Sequence, residues 1–367
     1  MLPGMVDLHL HAPQYAYRGL GMDLELLEWL QKYAFFEEAR YSDLNYAKKA
    51  YGTFVRAMKK SATTRAVVFA TAHKDATILL MDMLNKTGIE SYVGKVNMDT
   101  DAPDNLREKD AETSAVDTVA WLDAVTGAYE HCQPIITPRF LPSCSHALME
   151  KLQAIVEERT LPVQSHLSEN PEEVALVGTL YPEAAFYGDG YHRYHMFGGD
   201  VKTVMAHCVY STEEEIRLMH ENGVFIAHCP SSNMNIASGI APVRRYLKEG
   251  MRVGLGSDVA GGETESMFRA IRSAIQVSKL YYRLVDRKAA PITLDEAFAM
   301  ATIVGGEFFG RVGSFLPGYE FDAVVIDDRE LYRSTKLTLH DRLERAVYEE
   351  ADVHALCAKF VAGRAIL

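Results

Sequence analysis

Val6-Asp7-Leu8-His9-Leu10-His11 decides the fold, because it is an apolar strand-like run that ends in histidine. Seven further short apolar runs follow, each separated from the next by a stretch long enough for a helix. The eight runs are Val6–His11, Ala66–Ala72, Tyr92–Met98, Pro134–Arg139, Leu161–His166, Thr203–His207, Val224–His228 and Arg252–Gly256. Apolar strands that alternate with helices indicate a parallel sheet covered on both faces. Eight such units are typical of a closed (β/α)₈ barrel, so we predict an α/β fold of the TIM-barrel type.

The character of the sequence changes after residue 312. Residues 313–318 are rich in turn formers, and residues 322–326 and 360–366 resemble β-strands on either side of a charged stretch. We therefore predict two parts, a barrel over residues 1–312 and a small β-sandwich-like appendage over residues 313–367.

Two segments carry the signature of a helix start. Ser211 is followed three residues later by Glu214, and Thr293 is followed three residues later by Glu296. This spacing is that of a capping box, in which each side chain bonds to the backbone N–H of the other residue. We therefore predict helices with Ser211 and Thr293 as their N-caps.

The 367-residue chain is acidic, with 38 Lys and Arg against 50 Asp and Glu and a formal net charge of −12. The hydrophobic fraction of 48% is enough for a large core and excludes a mainly disordered chain. Net acidity argues against a nucleic-acid partner, and the apolar runs are too short for a membrane span. The five cysteines are odd in number and too few for a disulfide scaffold, which favours the reducing cytoplasm.

Histidines gather at the ends of the predicted strands. Five of the thirteen histidines lie there, namely His9, His11, His166, His207 and His228, and Asp258 follows the eighth run. In a (β/α)₈ barrel the active site lies at the carboxyl ends of the strands. We therefore expect these side chains to meet at one mouth of the barrel.

Two of these histidines form half of a metal site. His9 and His11 are two residues apart, so their side chains point to the same face of a strand. His166 and Asp258 could complete the set from across the barrel. Nitrogen and oxygen donors without a thiolate suit Zn²⁺ in a catalytic site, with Fe²⁺ or Mn²⁺ as competitors. The alternative, for an isolated His-x-His pair, is that the two histidines lie on the surface by chance and bind no metal.

Glu169 follows His166 by three residues. In a turn after a strand, this spacing places a carboxylate beside a metal without making it a ligand, where it can carry protons between water and substrate. The alternative is a charge at a helix N-terminus that complements the helix dipole.

We interpret His228 as a core histidine or one that supports the site from behind. Cys208 and Cys229 are interpreted as buried small hydrophobic residues.

Two missing motifs exclude other enzyme classes. The chain has no Pro-Cys-x-x-Cys motif, which is the signature of zinc deaminases that flip bases out of nucleic acids. The stretch Gly254–Val259 lacks the third glycine of a dinucleotide-binding fingerprint, so a nicotinamide cofactor is not expected.

The motifs at the strand ends resemble those of the amidohydrolase superfamily. Pro3–His11 is similar to the opening barrel strand of that superfamily, and the later motifs match at His166-x-x-Glu169, His207 and Ser257-Asp258. Longer strings resemble the branch that deaminates guanine: His11-Ala12-Pro13-Gln14-Tyr15, Trp29-Leu30-x-Lys32-Tyr33, Pro138-Arg139-Phe140, Ser165-His166-Leu167-Ser168-Glu169-Asn170 and Asp258-Val259-Ala260-Gly261-Gly262. The resemblance extends from about residue 3 to about residue 325.

The resemblance implies hydrolytic deamination of guanine to xanthine and ammonia, with one Zn²⁺ (or Fe²⁺) per chain held by the four predicted ligands. It implies that Asp258 accepts the proton of the attacking water, that Glu169 protonates N3 of the ring, and that His207 orients the water. Superfamily members with two metals carry a carboxylated lysine after the fourth strand. This chain has Arg139 at the end of that strand, so a single metal is implied.

The resemblance also assigns substrate binding to Gln14, Arg139, Phe140, Glu169 and His207. Arg139 would supply fixed donors for the guanine carbonyl, and Phe140 would supply a ring for stacking. The alternative for Arg139 is an ion pair with a helix carboxylate at the rim of the barrel.

Two other functions stay open at this point. One is a related enzyme that acts on a pterin, a triazine or an adenosine-like substrate, and the other is a non-catalytic metal-binding scaffold. The presence of Glu169 argues against the scaffold, since a structural metal site needs no proton carrier.

The resemblance raises one expectation about the N-terminus. Superfamily members usually have some tens of residues before the first barrel strand, which join a β-sandwich with the C-terminal segment. This chain begins almost at that strand, which implies an incomplete sandwich or an upstream segment. We further expect a cytoplasmic homodimer that binds a small molecule and neither nucleic acid nor membrane.

Overall fold

The fold is given by a computed structural model that describes residues 1–329 and 336–367. Its strands are β1 (Leu2–Pro3), β2 (Met5–His11), β3 (Thr63–Phe69), β4 (Glu90–Gly94), β5 (Val96–Asn97), β6 (Cys132–Pro134), β7 (Thr137–Pro138), β8 (Val163–Leu167), β9 (Thr203–His207), β10 (Phe225–His228), β11 (Arg252–Leu255), β12 (Ala323–Ile326), β13 (Leu356–Val361) and β14 (Arg364–Ala365).

Helices follow the strands and cover the sheet. They are α1 (Leu26–Trp29), α2 (Phe35–Ala39), α3 (Leu44–Lys60), α4 (Lys74–Asn85), α5 (Ala111–Val125), α6 (His146–Arg159), α7 (Pro171–Leu180), α8 (Tyr187–His192), α9 (Glu213–Glu221), α10 (Pro230–Asn235), α11 (Val243–Lys248), α12 (Met267–Leu284), α13 (Leu294–Ala299), α14 (Leu339–Tyr348) and α15 (Ala351–His354). Short 3₁₀-helices span Ala12–Tyr17, Arg40–Ser42 and Leu141–Ser143, and π-helical turns span Leu30–Ala34 and Met300–Val304. Among residues 1–329 and 336–367, we find no helix with both the length and the apolar character that a membrane crossing requires.

Parallel strands form a ring at the centre of the molecule. β2, β3, β4 and β6 pair in this order, as do β8, β9, β10 and β11. Ile136 pairs with Val163 on one side of the ring. On the other side, the amide of Asp258 donates to the carbonyl of His9 at 2.8 Å. With β4–β5 and β6–β7 each counted as one interrupted strand, the eight strands form the predicted (β/α)₈ barrel.

The predicted runs overlap the barrel strands, and Thr203–His207 coincides with β9. The third run is split into β4 and β5 at Lys95, and the fourth into β6 and β7 at Ile135 and Ile136. Lys95 is fully buried, and its ammonium pairs with Glu108. Hydrophobic patterning cannot show such breaks, because the residues around them are buried as in an unbroken strand.

Strand β2 contains a bulge that determines what its side chains face. The register of β2 with β3 shifts between Asp7 and Leu10. Within this interval, Leu8 packs in the apolar interior of the barrel. His9, the next residue, and His11 both face the mouth, where each contacts an acidic side chain. A bulge breaks the strict alternation of faces, so Leu8 and His9 are adjacent in sequence and both point inward.

A four-stranded antiparallel sheet lies beside the barrel, in the order β1-β12-β13-β14. The strand predicted at residues 322–326 is confirmed by β12. The single strand predicted at residues 360–366 is wrong, because the chain turns at Ala362 and Gly363, where φ is 46° and 78°, and so separates β13 from β14. Residues 330–335 of the predicted appendage lie outside the described residues.

The two predicted helix caps differ in outcome. Thr293 is the N-cap of α13 and forms a complete capping box with Glu296, as predicted. The prediction that Ser211 caps a helix is wrong, because α9 has Thr212 as its N-cap, with the Thr212 side chain accepting from the N–H of Glu215. Serine and threonine are both good N-caps, so the sequence alone does not decide between neighbours of this kind.

One buried ammonium joins the C-terminal sheet to the barrel. Lys359 of β13 is fully buried. Its Nζ donates to the carbonyl oxygens of Met58, Ser61 and Thr63 at 2.8, 2.9 and 3.0 Å. The three protons of the ammonium group match these three acceptors, which lie at the end of α3 and the start of β3.

Replacement of Lys359 by methionine is expected to lower the free energy of unfolding by about 2 kcal/mol or more, because three buried carbonyls lose a charged donor. Denaturant unfolding of the two proteins measures this difference. Arg364→Met is the control in the same sheet, since Arg364 is 65% exposed and pairs with an exposed glutamate. Its effect is expected to stay within about 0.5 kcal/mol. Equal losses in the two variants would contradict the assignment.

Candidate active site

Four side chains converge at the mouth of the barrel, where β2 and β8 end and β11 gives way to a loop. Nε2 of His11 lies 3.2 Å from Nε2 of His9 and 3.1 Å from Nε2 of His166. Oδ1 of Asp258 lies 3.1 Å from Nε2 of His9 and 3.4 Å from Nε2 of His11. Ligand atoms of His9, His11 and His166 therefore lie within 4.8 Å of one another, and Asp258 contacts the first two of these rings.

These separations fit one shared cation better than a set of hydrogen bonds. A proton can lie between only two of the imidazole nitrogens at a time, so hydrogen bonding alone would leave lone pairs facing lone pairs. Two ligands about 2.0–2.1 Å from one Zn²⁺, separated by an angle of about 90–110°, lie about 2.9–3.4 Å from each other, which covers the spacing seen here. The four side chains form a candidate metal centre.

A hydrogen bond behind His166 selects the nitrogen that faces this centre. Nδ1 of His166 donates to the carbonyl of Arg139 at 2.5 Å. With the proton on Nδ1, Nε2 keeps its lone pair, as is usual for a histidine that binds a metal. Burial, together with the neighbouring His9 and His11 rings, lowers the pKa of His166 well below its ordinary value. The ring is therefore neutral and able to act as a ligand.

The backbone around Asp258 places its carboxylate against the histidines. Asp258 has φ 47°, in the left-handed region that a residue other than glycine rarely adopts. Beside it, Asp7 accepts hydrogen bonds from the hydroxyl and the amide of Ser257 at 2.6 and 3.0 Å. Strained residues of this kind gather at functional sites, where the surrounding bonds hold them.

The charge on Asp258 is stabilised by the rings around it. Burial opposes ionisation, but His9 and His11 hold the pKa of Asp258 well below its usual range. One oxygen, Oδ1, faces these two rings, whereas Oδ2 lies 3.8 Å from Nε2 of His207. Asp258 thus presents one oxygen to the candidate metal centre and the other to the space beside His207.

Glu169 is a buried carboxyl group on the other side of that space. Its Oε2 lies 3.4 Å from Nε2 of His207, and its Oε1 accepts a hydrogen bond from Oγ of Ser238 at 2.8 Å. Burial, with the charge of Asp258 added, raises the pKa of Glu169 to about 8. A carboxyl with this pKa holds a proton at neutral pH and can release it to a substrate.

Helix α7 supports Glu169 from behind. Oε2 of Glu173 accepts from the amides of Glu169 and Asn170 at 2.9 and 3.3 Å, and its Oε1 accepts from the hydroxyl of Tyr187 at 2.6 Å. Asn170 is the N-cap, and the acidic residues in the first turn are Glu172 and Glu173. Glu169 therefore precedes the helix, and its side chain faces the site instead of the helix dipole.

His207 lies between the two carboxyl groups. Its backbone is in the left-handed region with φ 75°. Nδ1 of His207 donates to Oδ1 of Asn233 at 2.8 Å, so Nε2 is the nitrogen turned toward the two carboxyl groups. Nε2 is buried and has no hydrogen-bond partner among the described residues. A buried nitrogen of this kind fits a position that a water molecule or a substrate occupies.

These groups line one pocket at the mouth of the barrel. Its walls are His11, Gln14, Leu26, Trp29, Leu30, Arg139, Phe140, His166, Glu169, Glu173, His207, Ile236 and Asp258. The apolar wall comes largely from α1 and the π-helical turn after it. The polar wall carries the candidate metal centre at one end and the purine-binding positions predicted from the sequence at the other.

All five predicted substrate-binding residues line this pocket, namely Gln14, Arg139, Phe140, Glu169 and His207. Arg139 also forms an ion pair with Glu38 of α2 through both terminal nitrogens. The alternative interpretation of Arg139, a pair with a helix carboxylate, therefore describes a contact that exists. Arg139 also lines the pocket, so the ion pair is compatible with the predicted role in substrate binding.

His228 and Cys229 are not among the predicted ligands. His228 is buried against Ala274 and Val277 of α12, and neither of its ring nitrogens has a partner within the described chain. The sulfur of Cys229 lies within 4.8 Å of ligand atoms of His9 and other site residues. Burial raises the pKa of the Cys229 thiol well above its ordinary value, so it is a neutral thiol. Cys208 is likewise buried.

Three residues of the site were not found from the sequence. Glu38, Asn233 and Ser238 contact Arg139, His207 and Glu169 from elements distant in the chain. Glu38 stands next to Glu37 in an acidic helix, where the sequence does not distinguish a buried from a solvated carboxylate. Asn233 lies in a polar stretch that follows the end of strand β10. That position was a weak indication that its side chains belong to the site.

The fold and the convergent ligands define a class of metal-dependent hydrolases. A model of the amidohydrolase family matches residues 1–354. The chain belongs to the amidohydrolase family.

Curated relatives and solved structures narrow the similarity further. The chain is 41% identical over 333 residues to the guanine deaminase of Homo sapiens, covering 89% of this chain and 72% of that protein. It is 33% identical over 366 residues to the guanine deaminase of Escherichia coli, covering 94% of this chain and 77% of that protein. The crystal structure of guanine deaminase from C. acetobutylicum with guanine bound in the active site matches with a TM-score of 0.96 and 48% identity, over 100% of this chain and 86% of the other.

Proposed function

We propose that this chain catalyses the hydrolytic deamination of guanine to xanthine and ammonia. The observation that carries the proposal is the single pocket in which the candidate metal centre, buried Glu169 and the pair Gln14 and Arg139 meet. The similarity to guanine deaminases, including one with guanine bound, supports the same reaction.

The metal is proposed to be one Zn²⁺ per chain, with Fe²⁺ as the alternative. Its ligands would be the imidazoles of His9, His11 and His166 and Oδ1 of Asp258. When bound, such a cation lowers the pKa of a coordinated water from 15.7 toward about 7, which supplies a nucleophile at neutral pH. The imidazole and carboxylate donors support Zn²⁺, which prefers these ligands in catalytic sites.

Asp258 and His207 would prepare the attacking water. Oδ2 of Asp258 faces the space between the centre and His207, so it is placed to accept the proton that the water loses. Nε2 of His207 points into the same space and would hold the water oriented toward C2 of the purine. The hydrogen bond to Asn233 keeps this nitrogen turned inward.

Glu169 would carry the proton that the reaction requires. Because burial raises its pKa to about 8, Glu169 enters the reaction protonated and can donate to N3 as the water oxygen bonds to C2. The Glu169 carboxylate would then take up the proton of the new hydroxyl on C2 and pass it to the exocyclic amine. The proton that Asp258 accepted from the water would return to Glu169 and restore the starting state. Cleavage of the C2–N bond releases ammonia and leaves the C2 carbonyl of xanthine.

Arg139, Gln14 and Phe140 would hold the purine. The guanidinium of Arg139 suits the carbonyl at C6, Gln14 supplies a second polar contact at the edge of the ring, and Phe140 a face for stacking. A site built to bond a carbonyl discriminates strongly against a ring with an amine in its place, by about 10⁴-fold or more. Adenine is therefore expected to be a very poor substrate.

The test is to incubate the purified, metal-loaded protein with guanine and to measure xanthine and ammonia. We expect one xanthine and one ammonia for each guanine consumed. Adenine, a pterin and an amino-triazine serve as comparison substrates under the same conditions. Turnover of one of these in place of guanine would assign the chain to another reaction of the family.

Three further properties are proposals with their own measurements. The boundary between barrel and appendage is proposed at residue 312, which limited proteolysis tests. A homodimer is proposed, which sedimentation of the purified chain tests. A cytoplasmic location is proposed from the five free cysteines, of which four are buried, and cell fractionation tests it.

A further inference from the structure

Glu38 is a buried carboxylate behind the wall of the pocket. Its exposed fraction is 0%, and it lies on α2, outside the barrel strands. Both residues that bond to its side chain, Gln14 and Arg139, line the pocket, whereas Glu38 itself is not part of the lining. Any effect of Glu38 on a bound purine is therefore exerted through these two side chains.

Glu38 determines which end of the Gln14 amide faces which neighbour. Nε2 of Gln14 donates to Oε1 of Glu38 at 2.8 Å. An ionised carboxylate only accepts hydrogen bonds, so the amide nitrogen must face it and Oε1 of Gln14 must face away. That oxygen lies 3.4 Å from the amide nitrogen of Ala260. The amide is held between one acceptor and one donor and has a single favourable orientation.

Glu38 also fixes the guanidinium of Arg139. Both terminal nitrogens of Arg139 bond to the two oxygens of Glu38, one of them at 3.0 Å. Such a two-point contact fixes the plane of the guanidinium. It also neutralises the positive charge of Arg139, a residue that is only 3% exposed. Arg139 lines the pocket, and the N–H groups that Glu38 does not bind belong to an ion pair with little net charge.

We infer that Glu38 is a specificity-determining positioning residue, which turns Gln14 and Arg139 toward the purine and makes this end of the pocket select a neutral cyclic amide over an anion. The inference rests on the proposed function, because it concerns how the same pocket recognises guanine. A lone buried guanidinium would favour an anionic ligand, since burial strengthens the attraction between opposite charges. The ion pair with Glu38 removes that preference while it keeps the directional donors.

The test compares Glu38→Gln with Glu37→Gln, a matched change at the next position of the same helix. Glu37 pairs with Arg40 at 3.0 Å, and neither residue lines the pocket. Four quantities are measured for each metal-loaded protein: KM and kcat for guanine, and the inhibition constants of hypoxanthine and urate. Both inhibitors carry the C6 carbonyl, but at neutral pH hypoxanthine is neutral and urate is an anion.

For Glu38→Gln, we expect KM for guanine to rise about 10- to 100-fold with a smaller change in kcat, because the lost contacts act on the bound purine as a whole. The ratio of the urate to the hypoxanthine inhibition constant is expected to fall about tenfold or more, because Arg139 is left without its counter-charge. General damage to the fold would weaken both inhibitors alike. Glu37→Gln should leave all these quantities close to those of the unaltered protein.

Glu38→Asp, which keeps the charge, covers the case in which Glu38→Gln does not fold. We expect its KM to rise while the inhibitor ratio stays near that of the unaltered protein. An unaltered protein that does not deaminate guanine would overturn the proposed function and this inference with it. Two results overturn the inference alone, provided that the unaltered protein is active. One is a Glu38→Gln variant that keeps the original inhibitor ratio. The other is a Glu38→Asp variant whose ratio falls by about tenfold or more, as is expected when the charge is lost.

Discussion

Glu169→Gln is expected to lower the turnover of guanine by about 10²- to 10⁴-fold while the bound metal is retained. Glutamine keeps the shape of the side chain and can still accept a hydrogen bond from Ser238, which lies 2.8 Å from Oε1 in the structure. It cannot hold a transferable proton. Because Glu169 faces His207 and lies outside the cluster of predicted ligands, the change removes proton transfer and leaves the metal in place.

Steady-state kinetics and elemental analysis of the same preparation check this expectation. Glu172→Gln is the matched control, because Glu172 is an exposed glutamate in the first turn of α7. Its turnover should stay within about twofold of the unaltered protein. If Glu169→Gln lost its metal along with its activity, Glu169 would be a ligand and the proposed proton route would be wrong.

His9→Ala is expected to lose the metal during dialysis and to lose about 10³-fold or more of its activity. His9 contributes one of the imidazoles around the centre, 3.2 Å from Nε2 of His11 and 3.1 Å from Oδ1 of Asp258. Without it, His11, His166 and Asp258 no longer enclose the cation. Asp258 is also left with one ring fewer to stabilise its buried charge.

Metal content by elemental analysis should be close to one equivalent for the unaltered protein and well below that for His9→Ala. His228→Asn is the control, since His228 also ends a barrel strand but is buried against α12 on the outward side. It should keep its metal, whatever it does to stability. A double variant at His9 and His11 that still holds a full equivalent would refute the ligand set.

The expectations that succeeded rest on local patterns. Apolar runs that alternate with helices predict the barrel because strands buried on both faces need apolar residues at successive positions. The spacing of His9 and His11 is also local, since two residues of one strand share a face. The structure adds that a bulge between Asp7 and Leu10 brings these histidines to the mouth.

The positions of Glu38 and Asn233 depend on contacts between distant elements. Glu38 meets Arg139 across 101 positions of sequence, and Asn233 meets His207 across 26. The sequence around Glu38 is that of an ordinary acidic helix, so only the packing of α2 against the barrel shows that Glu38 is fully buried and bonds to Arg139.

The sequence by itself determined the barrel, its order of strands and the set of residues at the strand ends, because these follow from hydrophobic periodicity and from the geometry of parallel strands. Only the tertiary structure decided which side chains orient them: Glu38 behind Arg139 and Gln14, and Asn233 behind His207. The physical reason is that a buried polar group needs a hydrogen-bond partner, and that partner can come from any part of the chain that the fold brings close. Local sequence does not encode which distant residues become neighbours.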